Sequence, residues 1–353
     1  MKLLTFYLPQ FHEIPENNDA WGNGFTEWVN VKKAEKVYSF QSQPRVPLNN
    51  NYYNLLNIDT MKWQSHIANE AGIYGFCFYH YWFHGRLVLE KPVANLLNDK
   101  SVKMNFCFSW ANEPWTKTWH GAGGNKEILI PQTYGGTDEW ERHYQYFLPY
   151  FKDERYIKED GCPLLLIYRL RNIPDFNAMI KYWNGRAKQD GFNGIYIISM
   201  NVSREHVYMS KWVNASVDFE PNRTKYELLA TNSNLESRII DYDELNEFML
   251  KVPHTKNHFR TVFVDYDDTP RRGTRGLCMK NTSPDKFAKY LAENIALSED
   301  EGNEYVFVNA WNEWGEGNYL EPDTRWGYAY LRKVCEIVKG KKYAEESVIL
   351  GGW

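Results

Sequence analysis

Eight apolar runs of strand length recur along the chain, and helical stretches fill most of the gaps between them. The runs are Leu3–Leu8, Gly75–Trp82, Met104–Trp110, Pro163–Arg169, Gly194–Met200, Ala215–Glu220, Thr261–Asp267 and Tyr305–Trp311. They are near-continuous in apolar residues rather than strictly alternating, as parallel strands buried on both faces require. Asp59–Ala71 reads as a helix with Asp59 as N-cap and Gly72 as its stop. Ile173–Gly191 reads as another, and a third begins with Ser283 as cap and Pro284 at its first position. This alternation predicts an α/β fold, a (β/α)8 TIM barrel with long decorated loops at its C-terminal face. The rival, a doubly wound open sheet, would usually carry a Gly-rich phosphate turn after an early strand, and none is present. No linker or charge block divides the chain, so residues 1–353 are expected to form a single barrel domain.

In such a barrel the strand C-termini converge on one site. Two loops on that face, residues 9–57 and 111–134, are long and aromatic, and are expected to shape a deep cleft. Aromatics reach 16% of the chain, which fits either a bulky core or a cleft of flat faces for sugar rings. Strand ends one to four offer Gln10, His12, Glu27, Trp28, then Tyr79, His80, Tyr81, Trp82, then Trp110, Asn112, Glu113, Trp115, Trp119, then Tyr168 and Arg169. Strands six to eight add Asp218 and Glu220, then Asp265, Asp267, Asp268 and Arg271, then Asn309, Trp311, Asn312, Glu313 and Glu316. Carboxylates, amides and indoles with few lysines suit carbohydrate rather than phosphate chemistry. Glycosidic cleavage needs one acid to protonate the leaving oxygen and a second carboxylate to attack, activate water or stabilise charge. Indole faces exclude water and raise a carboxyl pKa, which suits a general acid at neutral pH.

Glu313 and Glu316, directly after a buried strand, are therefore the expected catalytic pair, with Glu113 a third candidate; acids decorating a helix N-terminus are the plainer reading. Glu321 reads as support. The expected substrate-binding residues are Glu27, Trp28, Tyr79, His80, Tyr81, Trp82, Trp110, Asn112, Trp115, Trp119, Glu220, Asp268, Arg271, Trp311 and Asn312. Glu27 could equally brace its loop.

The net charge of −4, with no basic stripe, argues against nucleic acid as a partner. No run of 18 apolar residues exists, so no membrane span is expected. No HExxH occurs, and neither a metal nor a cofactor is expected. The acids of Asp265–Asp268 loosely resemble the metal-and-nucleotide sites of glycosyltransferases. Residues 121–126, GAGGNK, lack the P-loop spacing and read as a mobile loop over the cleft. No GxSxG elbow is present. Five cysteines, an odd count without CxxC spacing, read as buried free thiols in a reducing compartment. The apolar run at the N-terminus is too short for a signal peptide, so a soluble cytoplasmic protein is expected.

The blocks FYLPQFHEIPENNDAWGNGFTEW, NEPWTKTWHG, DDTPRRG and NAWNEWGEGNYLEPDTRWGYAYL together resemble the WbsX-type family. That family is described both as polysaccharide-biosynthesis glycosyltransferases and as a glycoside hydrolase family 99-like domain. The resemblance spans nearly the whole chain and implies a (β/α)8 barrel. Family 99 contains retaining endo-α-mannosidases whose catalytic pair is two Glu separated by two residues, and Glu313, Trp314, Gly315 and Glu316 match that spacing. The resemblance implies that Glu313 assists attack by the sugar's own 2-hydroxyl and that Glu316 serves as general acid, then base. The intermediate would be a 1,2-anhydro sugar. Gly315 stands where those enzymes carry His, and Glu27 and Glu113 are extra acids. Three functions follow: a hydrolase of bacterial polysaccharide or mannan-like glycan; a transferase of O-antigen, lipopolysaccharide or capsule assembly; and a glycan-binding barrel without catalysis.

Overall fold

A computed structural model describes residues 1–117, 127–202, 210–225, 227–228, 238–341 and 343. Eight strands close into a parallel ring: β1 Lys2–Tyr7, β2 Gly75–Phe83, β3 Asn105–Trp110, β4 Cys162–Ile167, β5 Tyr196–Asn201, β6 Ala215–Asp218, β7 His258–Phe263 and β8 Tyr305–Asn309. Each pairs with its sequence neighbours, and β1 closes the ring by pairing β2 on one side and β8 on the other. Thr5 stands beside Phe76 and Val308 at that seam.

The strands are almost wholly buried because both faces are covered. Inside, Phe6 stacks on Tyr79 at 6.0 Å and on Phe307 at 5.4 Å, and meets Phe219 edge-on at 5.1 Å. Outside, Tyr7 reaches the helix α1 (Ile58–Ala71), where its hydroxyl donates to Gln64 at 2.6 Å. Further helices include α2 (Thr137–Lys152), α3 (Phe176–Gln189), α4 (Pro284–Asp300) and α5 (Ala329–Lys339).

Several boundaries differ from the sequence expectation, each for a local reason. Asn57, not Asp59, caps α1: its Oδ1 accepts from the Asp59 backbone N–H at 3.0 Å. Gly72 does end that helix in the left-handed conformation. Ser283 caps α4, accepting from Lys286 N–H, with Pro284 at the first turn. The seventh strand starts three residues earlier than the apolar run and ends at Phe263. Beyond it, the Val264 N–H still reaches the Asn309 carbonyl at 3.0 Å and also meets the Asn318 side chain at 3.0 Å. The long first loop holds two short helices, Pro15–Trp21 and Glu27–Lys33. The loop after β3 holds an antiparallel pair, Trp115–Thr116 with Ile128–Ile130. Among the described residues no helix is long and apolar enough to cross a membrane. All five cysteines are free, and four are buried.

Candidate active site

The site is built where β8 ends. After Asn309 the chain forms a tight hairpin, Asn312–Glu313 paired with Asn318–Tyr319, around a single 3-10 turn at Trp314–Glu316. Gly317 closes the turn at φ +61°, a conformation that glycine adopts without steric cost. Asn312 staples this hairpin to the end of β1: its Oδ1 accepts from Leu8 N–H at 2.8 Å and its amide donates to Leu8 C=O at 3.0 Å. Trp314 stacks on Tyr319 at 3.7 Å and donates through Nε1 to Glu321 at 2.6 Å. Glu321 also accepts from Tyr53 and Gln64, and so braces the hairpin from behind.

The hairpin presents Glu313 and Glu316 to a half-open, aromatic-walled cavity. Its other walls are Tyr79 and Tyr81 from β2, Glu113, Pro114 and Trp115 after β3, Tyr168 after β4, and Phe219 and Asn222 after β6. Tyr81 and Trp115 meet edge-on at 5.1 Å. Glu113, at the half-exposed rim, accepts from Arg169 Nε at 2.8 Å. Aromatic walls with a few convergent polar groups suit a ligand with flat apolar faces and hydroxyl edges.

One cation organises the acids. Arg271 lies on the one-turn helix Thr269–Arg272 that follows β7. Its Nε donates to Glu27 at 2.9 Å, Nη1 to Glu316 at 2.8 Å and Nη2 to Glu313 at 3.1 Å. Arg271 and Glu27 are buried, and burial is what makes their charges depend on each other. Burial pushes the Glu313 carboxyl up to about 8; Arg271 opposes this, while Glu316 and Glu27 add to it. Glu27 is also raised, first by burial.

Gly315 has a steric reason to be glycine. A Cβ there would stand 1.8 Å from Glu27 Oε1 and 2.8 Å from Arg271 Nε. Glu27 and Arg271 occupy the space that a side chain at 315 would take. Gly315→Ala is expected to displace the Glu27 carboxylate, costing about 1–3 kcal/mol of stability as overpacking does. An unchanged denaturation midpoint would show that the pair moves aside freely.

The sequence-expected residues sort by strand parity, because successive side chains point to opposite faces. Tyr79 and Tyr81 face the cavity, with Trp115, Glu113, Glu313 and Glu316. His80 and Trp82 point outward onto α2, where His80 lies 2.8 Å from His143 and Trp82 bonds Glu139. Burial lowers the His80 pKa to about 3, so the ring stays neutral. Trp110 packs between His143 and Trp183, again outside the ring. Asn112 bonds the Arg169 backbone and Tyr134. Trp28 and Trp311 are core: Trp28 bonds Tyr53 C=O and Trp311 packs on Phe76. Glu220 caps the turn after β6 by accepting from Thr224 N–H and Oγ1. None of these, nor Asn312 or Asp268, lines the cavity. Trp119 and residues 121–126 lie outside the described residues. Phe219 and Asn222 are wall residues with no charge to mark them in the sequence; Phe219 shares the inward parity of Ala215.

The acids of Asp265–Asp268 are committed to protein donors. Asp265 pairs with Arg45, Asp267 accepts from Gln41, Gln43 and Thr269, and Asp268 accepts from Leu277 N–H and Tyr266. Asp265 and Asp267 thereby dock the long first loop onto the barrel mouth.

Buried carboxyls set a pH dependence. Glu313 rises to about 8, and Glu220 and Glu321 to about 7, chiefly through burial. Between the ordinary 4.5 and those raised values they are neutral in the folded state and ionised in the unfolded chain. Their contribution is therefore full below 4.5 and lost as pH rises through 7 to 8. The thermal midpoint is expected to fall between pH 6 and pH 9, and a flat or rising trend would contradict this assignment.

Fold and site together define a closed (β/α)8 barrel with paired carboxylates in an aromatic cavity at the strand C-termini. Solved barrels of glycoside hydrolase family 99 share this fold. The endo-α-mannosidase of that family from Bacteroides thetaiotaomicron aligns over 99% of both chains, with a TM-score of 0.58 at 14% identity. A solved "glycoside hydrolase-like protein" aligns over 95% of this chain and 92% of its own, with a TM-score of 0.58 at 15% identity. The chain belongs to the family described as Glycosyltransferase WbsX, whose model matches residues 3–334. The uncharacterized protein WxcX of Xanthomonas campestris pv. campestris is 33% identical over 338 residues, covering 93% of this chain and 48% of WxcX. The chain thus spans about half the length of the curated relatives it matches.

Proposed function

We propose that this chain is a carbohydrate-active enzyme, a retaining glycoside hydrolase that cleaves a bacterial polysaccharide or mannan-like glycan with Glu313 and Glu316. The observation that carries the reading is one guanidinium, Arg271, holding both carboxylates against an aromatic-walled cavity. A sugar ring stacks on Tyr79, Tyr81 or Trp115, with its hydroxyls toward the acids. Glu313, as base, takes the 2-hydroxyl proton while that oxygen attacks the anomeric carbon. Glu316 gives a proton to the departing glycosidic oxygen. Water, deprotonated by Glu316, then opens the 1,2-anhydro sugar, and Glu313 returns its proton to O2. Glu313 acts in its ionised form, whose share grows as pH rises toward about 8. Glu113 with Arg169 forms a polar rim for a neighbouring sugar unit. The free thiols support a reducing, cytoplasmic setting.

The family's printed description supports a second reading, a glycosyltransferase of surface-polysaccharide assembly. Against it stand Asp265, Asp267 and Asp268, whose lone pairs already serve protein donors. A panel of bacterial polysaccharides and mannan-type glycans, scored for new reducing ends, tests the first reading. Nucleotide sugars with magnesium or manganese test the second. Release of reducing ends supports hydrolysis, whereas tight metal-dependent nucleotide binding sinks it.

A further inference from the structure

Away from the cavity, three side chains converge at the β6–β7 edge. Asp218 ends β6, His258 opens β7, and His254 lies in the loop before it. His258 Nε2 is 2.8 Å from Asp218 Oδ1, and His254 Nε2 is 2.9 Å from Asp218 Oδ2. One ligand atom from each lies within 4.8 Å of the others, a grouping of His and carboxylate found nowhere else among the described residues.

The protons make this more than an ion pair. His254 Nδ1 lies 3.0 Å from the Val252 carbonyl, which can only accept, so Nδ1 carries the hydrogen. In the neutral ring Nε2 is then a lone pair, and it faces a carboxylate oxygen. Both His254 Nε2 and Asp218 Oδ2 are buried, and neither has an aligned hydrogen-bond partner. Two imidazole nitrogens and a carboxylate thus turn toward one point, which Arg223 Nη1 approaches from one side at 3.0 Å from Oδ2. Anchoring the far ring nitrogen on a backbone carbonyl is also how metal-binding histidines are oriented.

We propose that Asp218, His254 and His258 form a site for one transition-metal dication of the zinc type. Two imidazoles and a carboxylate are the donor set such ions take. Tetrahedral ligands at zinc distances stand roughly 3.3 Å apart, and each imidazole already lies 2.8 or 2.9 Å from a carboxylate oxygen of Asp218. Arg223 Nη1 lies 3.0 Å from Asp218 Oδ2 and 3.7 Å from Glu220. On metal binding it turns to Glu220, leaving Oδ2 to the ion. Asn201, which donates to Asp218 Oδ1 at 2.8 Å, stays as an outer support. Phe219, the next residue after Asp218, walls the cavity, so the ion would fix that wall from behind.

The test uses the whole chain, stripped with a chelator and titrated with cobalt(II) and then zinc. One equivalent of cobalt is expected to give intense visible bands of a low-coordinate site, bleached by zinc. Zinc is also expected to raise the thermal midpoint. His258→Ala and His254→Ala are each expected to weaken zinc binding tenfold or more and to abolish the bands. If either variant fails to fold, the wild-type cobalt spectrum decides alone. A spectrum that stays that of the aquo ion overturns the proposal. So does zinc affinity equal in wild type and folded variants.

Discussion

Glutamine at position 316 is expected to slow turnover of the natural glycan by roughly 10³-fold, inside the range contributed by positioned proton transfer. That equals about 4 kcal/mol of barrier. Glu316→Gln keeps an oxygen for Arg271 Nη1 and changes little in volume, so the fold survives. On the proposed mechanism, what it loses is the proton for the leaving oxygen. An acidic phenol leaves without help, so first-turnover release from an aryl glycoside is expected to keep most of its rate. Natural-glycan turnover that persists undiminished in the variant would remove Glu316 from the chemistry.

Arg271→Met is expected to be the most destabilising single change at the site, by about 3–5 kcal/mol, the cost of breaking a buried ion cluster. Three carboxylates, those of Glu27, Glu313 and Glu316, share this guanidinium. Without it they face each other in a dry pocket and must take up protons. The deficit should therefore be smaller at pH 5.5 than at pH 8.5, because protons substitute for the lost cation. Denaturant melts of both proteins at the two pH values measure it. A deficit independent of pH would mean that the acids do not depend on Arg271 for their charge.

The ring of strands was legible because eight apolar runs alternate with helical stretches, and the Gly-rich turn that an open sheet would usually carry is missing. The acids at the end of β8 were legible too, since Glu313 and Glu316 sit among buried indoles. Which face each aromatic chose was not. Residues 79–82, Tyr-His-Tyr-Trp, look uniformly site-like, yet only the tyrosines point inward. Strand parity decides this, and parity depends on a register that the composition of the run does not reveal. Asp218 and Glu220 are the conspicuous acids of that strand end, yet it is Phe219 between them that walls the cavity. Arg271 gave a weak signal because its three partners, at 27, 313 and 316, are brought together only by the closed barrel. Gly315 is explained by Glu27, nearly the whole chain away in sequence.

Asn312 binds Leu8 through both its amide atoms, so the hairpin that carries the acids hangs on the seam between the first and last strands. The consequence concerns timing. During synthesis the cavity walls from β2 to β6 can assemble while Glu313 and Glu316 are still unmade. The pair reaches its place only when β8 slots in beside β1 and completes the ring. The placing of the two acids thus becomes a late event in the making of each molecule. A nascent chain would hold much of the cavity wall but neither acid of the hairpin.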